Sequence, residues 1–108
     1  MILFRDEHVA MILSGEKTQT RRTWAHPRVK PGKVYQARRV KAMMQKDGTF
    51  ARLKVLAVRA ERLGEISEAD ARAEGYPSRE AYFEAWRRIY GVLDLSRPVT
   101  VVEFRLNE

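Results

Sequence analysis

The chain contains no cysteine. That absence excludes disulfides, thiol nucleophiles and thiolate metal centres together. Histidine is nearly as scarce: only His8 and His26 occur, and no ligand spacing links them. A zinc site is therefore not expected, and the residues imply no cofactor. Long apolar runs are missing as well. Met1-Ile2-Leu3-Phe4 is closed by Arg5, Asp6 and Glu7, too early for a signal peptide, and no stretch is long enough to cross a bilayer. A cytoplasmic protein without a membrane partner is expected. Acidic residues, finally, are absent from one whole window. Residues 17 to 46 carry ten cations and no Asp or Glu: Lys17, Arg21, Arg22, Arg28, Lys30, Lys33, Arg38, Arg39, Lys41 and Lys46. The window accounts for +10 of a net charge of +7, leaving −3 for the rest of the chain.

What is present describes one folded unit. A chain of 108 residues has room for one modest core, so a single domain over residues 1 to 108 is expected. Its 44% hydrophobic and 32% charged residues are ordinary for a folded domain and argue against disorder. The one-signed window suggests a phosphate-bearing partner, although a solvated, arginine-rich surface would look the same.

Periodicity predicts a short helix over Glu7 to Ser14, with Val9, Ile12 and Leu13 on one face and Gly15 as its stop. Thr18 to Trp24 reads as a strand with Thr18, Thr20, Arg22 and Trp24 on one side and Gln19, Arg21 and Thr23 on the other. Pro31-Gly32 marks a turn. Val34 to Met44 and Thr49 to Leu63 read as two long strands joined by a hairpin at Lys46-Asp47-Gly48. Ser67-Glu68-Ala69-Asp70 has the form of a capping box that opens a helix ending at Gly75. After Pro77, Ser78 caps a second helix to about Tyr90. Its stripe of Tyr82, Phe83, Trp86, Ile89 and Tyr90 reads as core rather than binding surface. Val99 to Leu106 alternates as a half-buried strand. The sum is an α+β fold, a small and mainly antiparallel sheet or barrel with flanking helices.

The segment Gly15-Glu16-Lys17-Thr18-Gln19-Thr20-Arg21-Arg22 concentrates the reactive residue types. Glycine lets the backbone turn and approach a ligand; a lysine, a hydroxyl and an arginine follow at once. With the preceding Ile12-Leu13-Ser14, it resembles the signature of ASCH domains, relatives of the PUA fold, whose form is a helix ending in Gly-x-Lys-x-x-Glu-x-Arg. The likeness continues through Lys30-Pro31-Gly32-Lys33-Val34, the helical pair from Ser67 to Tyr90 and the final Val102-Glu103-Phe104. One position departs: Thr20 stands where the wider family has glutamate. In that respect the chain is similar to the bacterial N4-acetylcytidine amidohydrolase branch, which uses a Lys, a Thr and a Glu. The resemblance places those roles on Lys17, Thr20 and Glu74, with Glu65, Glu68 and Asp70 as nearby alternatives to Glu74.

Those residue types suit the chemistry. A threonine hydroxyl attacks an amide only after a neighbouring base takes its proton. A lysine serves as that base if burial and adjacent cations lower its pKa, and Arg21 and Arg22 are adjacent in sequence. Glu74 would orient the lysine or move a proton to the leaving amine. Backbone N–H groups at Gly15 are candidates to hold the oxyanion, and Arg22 or Trp24 to hold the pyrimidine. The expected function is a metal-free amidohydrolase on N4-acylated cytosine nucleosides or bases. The alternative is a PUA-like module, binding or cleaving RNA, that grips it through the basic 17–46 segment.

Overall fold

A computed structural model describes residues 1–42 and 48–108. Strand β1 (Ile2–Phe4) leads into helix α1 (Asp6–Ser14). Asp6 and Glu7 occupy the first turn of α1, where carboxylates complement the helix dipole. Gly15 ends it at φ +86°, a left-handed conformation, with its N–H donated to the Ile12 carbonyl. Val9 and Ile12 are buried as the periodicity requires, but Leu13 is half exposed. The chain then enters β2 (Gln19–Arg22), which is shorter than the Thr18-to-Trp24 strand expected from alternation.

Strands β3 (Val34–Arg39) and β4 (Thr49–Arg62) pair antiparallel. The first of these stops early, because Val40–Ala42 wind into a 3₁₀ turn; Met43 and Met44 lie outside the described residues. So do Lys46 and Asp47 of the expected hairpin turn. A second 3₁₀ turn (Leu63–Glu65) leads to helices α2 (Glu68–Ala73) and α3 (Arg79–Tyr90), and strand β5 (Pro98–Leu106) completes the fold. The Ser67 and Ser78 hydroxyls accept from the N–H groups of Asp70 and Ala81, so both predicted helix starts are capped by the expected side chain.

The five strands form one curled half-barrel sheet in the order β1-β3-β4-β5-β2. All neighbours are antiparallel except β1, which runs parallel to β3. Strand β5 is thus interior, between β4 and β2, and most of its side chains are buried on both faces rather than on one. Val102 and Phe104 join Ile2, Phe4, Ile12 and Val55 in one core cluster. Val101 and Val99 join Leu63, Ile66 and Ala71 in a second, on which α3 sets Tyr82 and Trp86. Each such fully buried aliphatic or aromatic side chain stabilises the fold by about 1.5–3 kcal/mol relative to leaving it in water.

Candidate active site

The two clusters leave a cleft of about 300 Å³ beside β2, bordered by α1 and α3. The backbone explains how one short segment comes to line it. The Lys17 N–H donates to the Met11 carbonyl (3.0 Å), which fastens the residue to the end of α1. Next, the Thr18 N–H donates to Ala73 O (2.8 Å), which brings the C-terminus of α2 alongside. Glu74 follows Ala73 directly, so residues 57 positions apart meet at one point.

Lys17 is almost completely buried, with 2% of its surface exposed. Its Nζ donates to Glu74 Oε1 (2.9 Å) and to the Glu74 backbone carbonyl (2.8 Å). Burial pulls the pKa of this amine below its usual value, against the opposing pull of Glu74; Arg22 and Arg21 push it the same way as burial. Two acceptors satisfy two N–H groups. In the neutral amine, the third position is a lone pair free to accept a proton.

Glu74 is itself shared. Its Oε2 accepts from Arg21 Nη1 (3.0 Å), and the Arg21 side chain is wholly buried. The same guanidinium reaches Glu61 Oε1 (2.9 Å) and Asp70 Oδ2 (3.3 Å) from Nη2, and Gln19 Oε1 (2.9 Å) from Nη1. Asp70 therefore does not complete the capping box that its sequence position suggests; its carboxylate also binds Gln19 and Arg59. The neighbouring Arg22 differs. It donates from Nε to Thr20 Oγ1 (3.1 Å), lies 4.9 Å over the Phe4 ring, and makes no ion pair with any described residue. Burial lowers its pKa despite Glu74. Thr20 is buried, and its hydroxyl is bonded to Arg22 rather than to Lys17.

Aromatic groups make the remaining walls. Tyr82, Trp86 and Tyr90 come from α3, with the Trp86 and Tyr90 rings 4.4 Å apart. Burial, then Glu74, pushes the Tyr82 phenol far above its usual pKa. His8 Nε2 lies 3.2 Å from the Tyr76 hydroxyl, and both line the cleft. The His8 pKa is pulled down to about 4, first by burial and then by Lys17, Arg22 and Arg5, so the ring is neutral near pH 7.

The structure thus gathers Lys17, Thr20, Glu74 and Arg22 in one cleft, while Gly15 and Trp24 lie outside it. Gly15 is exposed at the helix end, where it serves the turn. Trp24 falls beyond the end of β2, packs against the first core cluster and carries Arg28 over its ring at 5.7 Å. The α3 stripe divides: Tyr82 and Trp86 are core and cleft wall at once. Arg21, His8 and Tyr76 were not singled out as site residues from the sequence. Alternation put Arg21 on the face away from Thr20, and only the position of Glu74 shows why it matters. The basic window is divided too, since Lys17 and Arg21 are buried in the site instead of on a surface. Among the described residues, no group of three or more histidine, aspartate or glutamate side chains is arranged to hold a metal.

Comparison with known proteins agrees with this fold. The sequence model of the ASCH domain matches residues 2–108. No curated protein sequence is similar enough to match. Among solved structures, the ASCH domain from Lactobacillus crispatus superposes with a TM-score of 0.75 at 16% identity, covering 94% of this chain and 70% of that one. Protein EF3133 from Enterococcus faecalis gives 0.77 at 16% identity, over 99% and 76%. A mutant of ZmASCH from Zymomonas mobilis gives 0.61 at 17% identity, over 96% of this chain and 66% of that one. At those identities the likeness is one of fold. The family match itself spans nearly the whole sequence, and the chain belongs to the ASCH domain family.

Proposed function

We propose that the protein is an amidohydrolase that removes the acyl group from N4-acylated cytosine, releasing cytidine and acetate from N4-acetylcytidine. The observation that carries this reading is the setting of Lys17: a buried amine with two donors committed to Glu74, in a cleft that the buried Thr20 also lines. The neutral Lys17 Nζ takes the Thr20 proton as Thr20 Oγ attacks the acyl carbon. The C–N4 bond then breaks, Lys17 returns the proton to the departing amine, and cytosine leaves. Water, activated by the same amine, cleaves the Thr20 ester to acetate and restores the hydroxyl. In the resting arrangement Thr20 Oγ1 accepts from Arg22 Nε and its hydroxyl proton is not bonded to Lys17, so this first step requires the hydroxyl to turn towards Lys17. The Arg22 guanidinium is placed to bind the carbonyl oxygen as it gains charge. Tyr82, Trp86 and Tyr90 supply apolar and aromatic surface for a planar ring.

The direct test is incubation with N4-acetylcytidine and chromatographic detection of cytidine. Turnover that disappears in both Lys17→Ala and Thr20→Ala supports the reading; turnover unchanged in both would end it.

A second reading, an RNA-binding module, is favoured by one specific feature. Lys54 lies directly opposite Arg105 across β4 and β5, with Arg52 two residues along the same strand, and none of the three pairs with a described acid. Like charges facing each other across strands are destabilising unless an anion sits between them. Binding that weakens steeply with salt would favour this reading, and cleavage of the bound RNA would extend it to a ribonuclease.

A further inference from the structure

Arg21 takes no reacting role in either reading, yet its side chain bonds to Gln19, Glu61, Asp70 and Glu74. Its guanidinium is fully buried and touches three carboxylates, Glu61 from β4 and Asp70 and Glu74 from α2 and its end. Arginine is suited to this because its planar fork holds several acceptors in fixed directions and never loses its charge. We propose that Arg21 is a positioning residue that holds Glu74 by Oε2, leaves Oε1 to Lys17, and thereby controls how readily Lys17 gives up its proton. The inference rests on the reading of Lys17 as the base.

The geometry allows little else for Glu74. Its two oxygens are divided between two cations, Oε1 to Lys17 at 2.9 Å and Oε2 to Arg21 at 3.0 Å. If Arg21 were absent, both oxygens would turn to the amine, and one positive charge would leave its surroundings. Each change makes the Lys17–Glu74 pair bind its proton more tightly. The other groups around the pair do not offset this. Arg22 on β2 faces it as a second cation, His8 on α1 is neutral, and Tyr82 on α3 and Tyr76 in the turn before α3 are un-ionised. The carboxylates of Glu61 and Asp70 connect to the pair through Arg21, and Arg59 binds those two acids from their outer side. Among the described side chains, Arg21 thus joins the Lys17–Glu74 pair to the acidic residues behind it. A purely structural arginine in this place would hold β2, β4 and α2 together without any influence on the titration of Lys17.

The experiment compares the wild-type chain with Arg21→Gln and Arg21→Lys. Two quantities are read: the titration of Lys17, from the ¹³Cε signal of labelled lysine, and the pH profile of turnover of N4-acetylcytidine. In Arg21→Gln, the Lys17 midpoint and the rising limb of the profile move upward by about one pH unit, so the rate at a fixed lower pH falls about tenfold. In Arg21→Lys, which keeps the charge, the midpoint stays close to wild type. A midpoint that does not move in Arg21→Gln, with only thermal stability reduced, overturns the inference. Should Arg21→Gln fail to fold, the wild-type protein still decides. The ¹⁵N signals of the Arg21 side chain are expected to shift in the same step as Lys17, and a flat response across that step overturns the proposal. Loss of the enzymatic reading looks different: wild type would then release no cytidine at all, while the lysine titration remains measurable.

Discussion

Lys17 is an amine held out of water beside one carboxylate and two guanidinium groups, and its behaviour follows from that balance. Desolvation of the charged form outweighs Glu74, so the neutral amine is reached at a lower pH than for a surface lysine. Activity is therefore expected to rise with pH as Lys17 deprotonates. Replacing Lys17 or Thr20 by alanine should reduce turnover on the order of a thousandfold or more, measured as cytidine released per enzyme. His8 gives an independent prediction for stability. Its pKa lies near 4 in the folded protein against 6.5 when free, so the unfolded chain binds a proton first. Stability is then complete above pH 6.5 and declines as pH falls towards 4, by about 1–3 kcal/mol. In His8→Gln, the melting temperature should depend less on pH within that window; an unchanged slope would remove His8 as its source. At this scale the sequence exposed Lys17, Thr20 and Arg22, because a lysine, a hydroxyl and an arginine recur at close spacing after a glycine. It offers Arg21 only as a neighbouring cation and does not reveal its bond to Glu74, or that of His8 to Tyr76, across 53 and 68 residues. Trp24 was misplaced because face alternation holds only while the strand lasts, and β2 ends at Arg22.

The elements that form the site depend on two local features of the chain around Glu74. Gly75 adopts φ +102°, and a side chain there would start 2.8 Å from the Met11 Cε and Sδ atoms on α1. Gly75→Ala should therefore cost about 1–3 kcal/mol, mostly from the backbone conformation because the Met11 tip can move aside. It should also reduce turnover, since the turn that carries Glu74 would lift from α1. Thermal melts of the variant check the first effect and kinetics the second. Ser78 is the cap of α3, and Ser78→Ala should lower stability by about 1 kcal/mol with turnover little changed, because α3 supplies walls and no reacting group. Helix ends were readable because glycines and serines act through local backbone geometry. Strand β1 was not, since three apolar residues next to charges carry no period, and its place is fixed only by pairing with β3. The double burial of β5 was hidden for a related reason: its position between β4 and β2 follows from topology, which alternation does not report.

Over the whole molecule, the net charge of +7 is partitioned between a buried network and an outer surface. Lys17 and Arg21 act inside, so the sequence's block of ten cations overstates the charge available to a polyanion. Any association with RNA should then be weak and lost on raising salt from about 50 to 200 mM. Substituting both Lys54 and Arg105 should reduce it further, which filter binding at low salt would measure. Fold class was legible because helix and strand periods are distinct along most of the chain; the cleft was not, because it exists only where α1, β2 and α3 meet. We propose hydrolysis of an acyl amide on cytosine by Lys17 and Thr20 in this cleft. It is tested most directly by incubating the wild-type protein and Thr20→Ala with N4-acetylcytidine, with a chelator present, and following cytidine by chromatography. Wild type is expected to release cytidine steadily, and Thr20→Ala none above background. No release by wild type, or equal release by both, would contradict it.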